Sequence, residues 1–162
     1  MSKTLIVMRH AKSSWEHDLE DIDRPLNKRG HDGALALGDW LRSINLAPDE
    51  TICSSAKRVQ ETGAGLNIDA ALTRFESLYM ASEDALLETV QQAKGDVVLL
   101  LAHNPGIGEF AEQMAQSAPN NQRFFNYPSG ATTVFECEIE TWPELKFGDG
   151  TVTHFITPKE LM

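Results

Sequence analysis

Apolar positions along the chain alternate between short continuous runs and stretches with helical spacing. The run Leu5-Ile6-Val7-Met8 is followed by a polar segment over residues 9–29, and then by Ala34, Leu37, Leu41 and Ile44, which fall on one helix face. Thr51-Ile52-Cys53-Ser54 precedes a helix expected over about residues 56–66, with Val59, Gly63 and Leu66 on its apolar side. Val97–Ala102 gives way at once to His103-Asn104-Pro105-Gly106 and a helix carrying Ile107, Phe110, Ala111 and Met114. Ser82 reads as an N-cap with Glu83 and Asp84 in the first turn of a helix running through Leu86, Leu87 and Val90 to Gly95. Strands over residues 131–138 and 152–156 complete the pattern. Strands alternating with helices indicate an α/β domain with a mainly parallel sheet covered on both faces. With no repeat, linker or low-complexity tract, one domain over residues 1–162 is expected. In such sheets ligands bind beyond the carboxyl ends of the strands.

Those ends carry the chemistry. The first strand delivers Arg9 and His10, the strand over 97–102 delivers His103, and Arg58 lies in the first turn of the helix after residue 54. Each residue alone is unremarkable, since a histidine after a strand is commonly a bonded turn residue and a helical arginine commonly pairs with a nearby glutamate. Together at equivalent strand ends, two guanidinium groups and two imidazoles suit a phosphoryl dianion.

Charge sharpens this reading. Against 14 Lys and Arg stand 24 Asp and Glu, a formal net charge of −10 that opposes binding to nucleic acid or anionic membranes. A phosphate site must therefore be a local concentration of positive charge. No apolar run is long enough to cross a bilayer, and Leu5 to Met8 is too short for a signal-peptide core, so a soluble cytoplasmic protein with reduced Cys53 and Cys137 is expected.

Met8-Arg9-His10-Ala11-Lys12-Ser13-Ser14-Trp15 resembles the Arg-His signature of the histidine phosphatase superfamily. Ser54-Ser55-Ala56-Lys57-Arg58-Val59-Gln60-Glu61-Thr62 is similar to its second segment, and Val98 to Gly106 to its third. Residues 23–30, 78–82 and 155–161 resemble the branch of SixA-type phosphohistidine phosphatases, so the likeness runs nearly end to end. Ala11 stands where many superfamily members have Gly, a change that a negative φ accommodates. The resemblance implies a phosphoglycerate mutase-like three-layer α/β/α sandwich and a phosphatase that needs no metal or other cofactor. His10 would be the nucleophile, Arg9, Arg58 and His103 would bind the phosphate, and Glu76 would be the acid by family position. The start of the helix after His103 would add backbone donors. The short chain implies an open site for a phosphorylated protein side chain, with a small phosphorylated molecule or a non-catalytic phosphoprotein-binding role as alternatives.

Three further readings need the structure. The acidic residues Glu16, Asp18, Glu20, Asp21 and Asp23 read as a solvated loop, part of which flanks the pocket. Either Ser13 or Ser14 is a phosphate contact. Cys53 precedes Arg58 by only four intervening residues, one short of the cysteine-phosphatase spacing, and reads as a buried strand residue.

Overall fold

The computed structural model describes residues 2–162. Strand β1 (Lys3–Arg9) leads through a 3-10 turn at Asp21–Asp23 into helix α1 (Lys28–Ser43), then β2 (Glu50–Ser54) and α2 (Lys57–Gly65). Strand β3 (Ala71–Phe75), helix α3 (Glu83–Val90), strand β4 (Val97–Ala102) and helix α4 (Gly106–Met114) follow. The short helix α5 (Arg123–Asn126), β5 (Thr132–Cys137), β6 (Gly150–Ile156) and α6 (Pro158–Leu161) end the chain.

All six strands form one sheet in the order β3-β2-β4-β1-β5-β6. The pairings β3·β2, β2·β4 and β4·β1 are parallel, whereas β5 runs antiparallel to both β1 and β6. The continuous apolar runs of β1 and β4 follow from burial on both faces. Leu5, Val7, Val98 and Leu100 face one core with Leu86, Val90, Ile107 and Phe110 of α3 and α4. Ile6, Met8, Leu99 and Leu101 face the other with Leu37, Leu41 and Val59 of α1 and α2. Helices therefore cover both sides, and the three layers expected from the sequence are present.

Two details depart from the sequence reading. Helix α3 starts as expected, the Ser82 hydroxyl accepting from Ala85 N, but it stops at Val90 instead of reaching Gly95. Its would-be extension is drawn off by the start of β2: Glu50 Oε1 accepts from both Lys94 N and Gly95 N at 2.8 Å, and Trp142 Nε1 donates to Gly95 O at 2.7 Å. Edge strand β3 has no counterpart in the apolar pattern. Its residues are mostly exposed and so carry no inward-facing apolar alternation.

The sheet's register positions the site. Arg9 pairs with Ala102 and Cys53 with Leu101, so the parallel strands β1, β4 and β2 end side by side at one edge. His10 N donates to Ala102 O at 3.1 Å and Gly130 N donates to His10 O at 2.9 Å, which fixes the backbone of His10 on both flanks.

Candidate active site

A cleft of about 340 Å³ opens at this edge, and Arg9, His10, Arg58 and His103 all line it. The convergence read from the sequence is present. The rings of His10 and His103 meet edge to face with centroids 5.4 Å apart.

His10 is 6 % exposed, and its Nδ1 lies 2.7 Å from the carbonyl oxygen of Ala11. A carbonyl only accepts, so Nδ1 carries the hydrogen and Nε2 keeps its lone pair. Burial, opposed only by the bond to Ala11 and reinforced by His103, Arg9 and Arg58, pulls the His10 pKa down from 6.5 to about 3. The imidazole is neutral at ordinary pH. The turn beyond it is held by α2, where the buried Thr62 hydroxyl accepts from Ala11 N at 3.0 Å and donates to Arg58 O at 2.7 Å. Ala11 is absent from the positive-φ residues, so its methyl group is accommodated without strain, and it packs with Leu26 and Ala34.

His103 is buried between two partners. Its Nε2 lies 2.8 Å from Ser54 Oγ and its Nδ1 3.4 Å from Arg58 Nη2. Arginine only donates, so Nδ1 accepts here and Nε2–H donates to Ser54. Burial first, then Arg58, lowers the His103 pKa to about 4. Both ring nitrogens thus have protein partners. Ser54, an ordinary strand-end serine when the chain is read alone, holds Nε2 and so leaves Nδ1 to face the arginine.

The arginines are positioned unequally. Arg9 Nη1 donates to Tyr127 O at 3.1 Å, a carbonyl that also accepts from Asn104 Nδ2 at 2.9 Å. Burial and the charge of Arg58 lower the Arg9 pKa. Arg58, 3 % exposed, donates through Nη1 to Asp21 O at 2.6 Å and through Nη2 to Asp21 Oδ2 at 2.9 Å.

Asp21 is therefore more than a member of a solvated acidic loop. Glu16, Asp18, Glu20, Asp21 and Asp23 are all exposed, but the Asp21 carboxylate accepts from the Tyr79 hydroxyl, from Arg58 and from Arg24 Nε at 3.1 Å. The Tyr79 bond, then Arg58 and Arg24, outweigh desolvation and hold its pKa far below the usual carboxylate range. Arg24 organises the loop around it: its guanidinium lies 3.5 Å from the centroid of the Trp15 ring and donates to Ser13 Oγ at 2.9 Å and Ser14 O at 3.0 Å. Ser13 lines the cleft. Ser14 does not, its hydroxyl accepting from Glu16 N instead.

Two expectations meet a different geometry. Glu76 is exposed at the end of β3 and lines a separate hollow with Ile22, Lys57 and Arg74, so the fold does not bring it to the cleft. The first turn of α4 offers fewer free donors than its position suggested, because Ile107 N donates to His103 O and Gly108 N to Asn104 Oδ1. Cys53, by contrast, is 1 % exposed with its thiol pushed up by burial, as suits a strand residue. Among the described residues, no three His, Cys, Asp or Glu side chains are grouped to hold a metal ion, and no helix is long and apolar enough to cross a membrane.

The family model for the histidine phosphatase superfamily (branch 1) matches residues 5–78. An uncharacterized protein of Mycobacterium leprae is 30% identical over 94% of this chain and 100% of its own length. Among solved structures, a candidate phosphohistidine phosphatase SixA from Nakamurella multipartitia superposes with a TM-score of 0.87 at 27% identity, covering 98% of this chain and 97% of that one. A candidate SixA from Agrobacterium tumefaciens matches in fold with a TM-score of 0.78 at 20% identity, covering 96% of this chain and 98% of that one. The chain belongs to the histidine phosphatase superfamily, in its SixA-type branch, and has the phosphoglycerate mutase-like fold.

Proposed function

We propose that the chain is a phosphohistidine phosphatase that works through a covalent intermediate on His10. The observation that carries this reading is a neutral imidazole whose Nδ1–H is committed to Ala11 O, leaving the Nε2 lone pair free in a cleft with two guanidinium groups. Nε2 attacks phosphorus, the bond from phosphorus to the leaving atom breaks, and water then attacks the phosphohistidine to release phosphate. Arg9 and Arg58 bind the phosphoryl oxygens as charge spreads over them in a loose transition state. Arg58 must exchange at least one bond to Asp21 for a bond to the substrate. His103 contributes a donor when the Ser54 hydroxyl turns to donate to Nε2, which leaves Nδ1–H for an oxygen.

The protonation states favour an N-phosphoryl donor. An alkoxide leaving group needs a proton, yet Asp21 is the one carboxylate among the described residues lining the cleft, and Tyr79 and Arg58 keep it ionised. A phosphohistidine protonated on its second ring nitrogen leaves as neutral imidazole without further help. Transfer between two imidazoles is also close to balanced in energy. Stabilising the transferring phosphoryl group with charges already in place is then sufficient.

The test is a ³²P-labelled phosphohistidine protein, mixed with the chain and quenched in alkaline detergent. Label should appear transiently on the wild type and never on His10→Ala, whose turnover should fall to background. Phosphosugars and a phosphoserine peptide, each with and without chelator, form the comparison panel. Undiminished turnover by His10→Ala overturns the mechanism, and preference for a phosphosugar overturns the substrate.

A further inference from the structure

A second hollow, of about 580 Å³, adjoins the phosphate cleft and shares Arg9, Lys12 and Ser129 with it. Its size is within the range of ligand sites. Besides Arg9, four cationic side chains line it: Lys12, Arg29, Arg123 and Lys159. No Asp or Glu lines it among the described residues, in a chain whose formal net charge is −10. Lys12, Arg29 and Lys159 are exposed and form no ion pair among the described residues, while Arg123 Nη1 lies 3.6 Å from Glu160 Oε1. These cations come from four separate segments, the turn after His10, α1, α5 and α6, so the fold gathers them.

The floor is built closely. Pro158 sits where a Cβ on Gly130 would come within 2.4 Å of its Cγ, and Gly33 approaches it from α1, where an added Cβ would lie 3.3 Å from Pro158 Cβ. Gly130, with φ at +74°, is also the residue whose N–H donates to His10 O. The hollow is thus joined to the nucleophile through one residue.

We propose that this hollow receives an acidic stretch of the phosphorylated protein, next to its phosphohistidine, and so selects substrates by their flanking carboxylates. The inference rests on the phosphohistidine reading above. Long, exposed cations spread around a hollow suit several carboxylates on an extended segment, each pair weak and screened by salt. They also solve a problem of approach. Elsewhere the chain's own charge repels an acidic partner, and the hollow is the patch where attraction steers it.

Kinetics on phosphohistidine peptides that differ only in two flanking residues, Glu-Glu, Gln-Gln or Lys-Lys, test this directly. The Glu-Glu peptide should have kcat/KM about fivefold above Gln-Gln in low salt, carried by KM, with Lys-Lys below both and the spread shrinking at high ionic strength. In Arg29→Gln/Lys159→Gln the Glu-Glu to Gln-Gln ratio should fall toward one; both positions are exposed, and the ratio is internal to each preparation. Equal kcat/KM for all three peptides, or a ratio unchanged in the double variant, overturns the inference. If no phosphohistidine peptide is turned over while p-nitrophenyl phosphate is, the phosphohistidine reading itself has failed.

Discussion

Acidification should unfold this protein through two imidazoles before any carboxylate is involved. His10 and His103 are 6 % and 2 % exposed and titrate at about 3 and about 4 in the folded chain, against 6.5 when free. Because the folded values are lowered, the unfolded chain binds more protons below pH 6.5. Stability is therefore intact above that pH and is lost as pH falls toward the folded values. Each unit of displacement corresponds to about 1.4 kcal/mol. Between pH 7 and pH 5 the unfolded imidazoles protonate while the folded ones stay neutral, which costs about 2 kcal/mol apiece and about 4 kcal/mol together. That is a large part of a typical domain's stability. Asp21 does not contribute in this window, since its lowered pKa withdraws stability only as pH falls past its ordinary 3.8. Urea unfolding at pH 7 and pH 5 measures the effect, with His10→Gln/His103→Gln as control. The double variant should lose far less than the wild type; an equal loss in both refutes the assignment of the penalty to these rings.

Other outcomes follow from the same contacts. The acid side of the kcat/KM profile should show no loss near 6.5 attributable to His10, because its folded pKa is about 3, and a pH-rate series down to pH 5 checks this. Arg58→Lys cannot reproduce the two-nitrogen contact to Asp21 or the planar contact to phosphate, and kcat/KM should drop by about a hundredfold. Ser54→Ala removes the hydroxyl that fixes His103 and should lower kcat by about tenfold, while thermal unfolding shows a fold that still forms. Asp21→Asn removes the anion that competes for Arg58, so orthovanadate should inhibit at about threefold lower concentration.

The parallel core and the edge that carries the candidate site are legible in the sequence because buried strands write themselves as unbroken apolar runs. The residues immediately after those runs land at one edge by topology alone, which is why Arg9, His10 and His103 lie together. The rest of the site depends on side chains meeting across long sequence distances. Ser54 matters only because β2 and β4 are neighbours. Asp21 matters because Tyr79, 58 residues away, reaches its carboxylate and Arg58 closes on the other side. A run of acidic residues looks solvated, and all five are exposed, but Asp21 alone of them also bonds to Arg58 and Tyr79. Only resemblance of position points to Glu76, and the exposed course of β3 carries it to another face. The early end of α3 likewise turns on Glu50, whose capture of two amides is invisible until β2 and β4 are paired.

Strand β1 has a hydrogen-bonded neighbour on each side and an apolar core against each face. Segments enclosed in this way release their amides to solvent exchange only when the whole molecule opens. Amides of Leu5 to Met8 should thus be the slowest to take up deuterium, at a rate matching global unfolding. His10 follows directly on that strand, so fraying of the periphery leaves the mount of the proposed nucleophile intact, and loss of activity on heating should coincide with loss of the entire sheet.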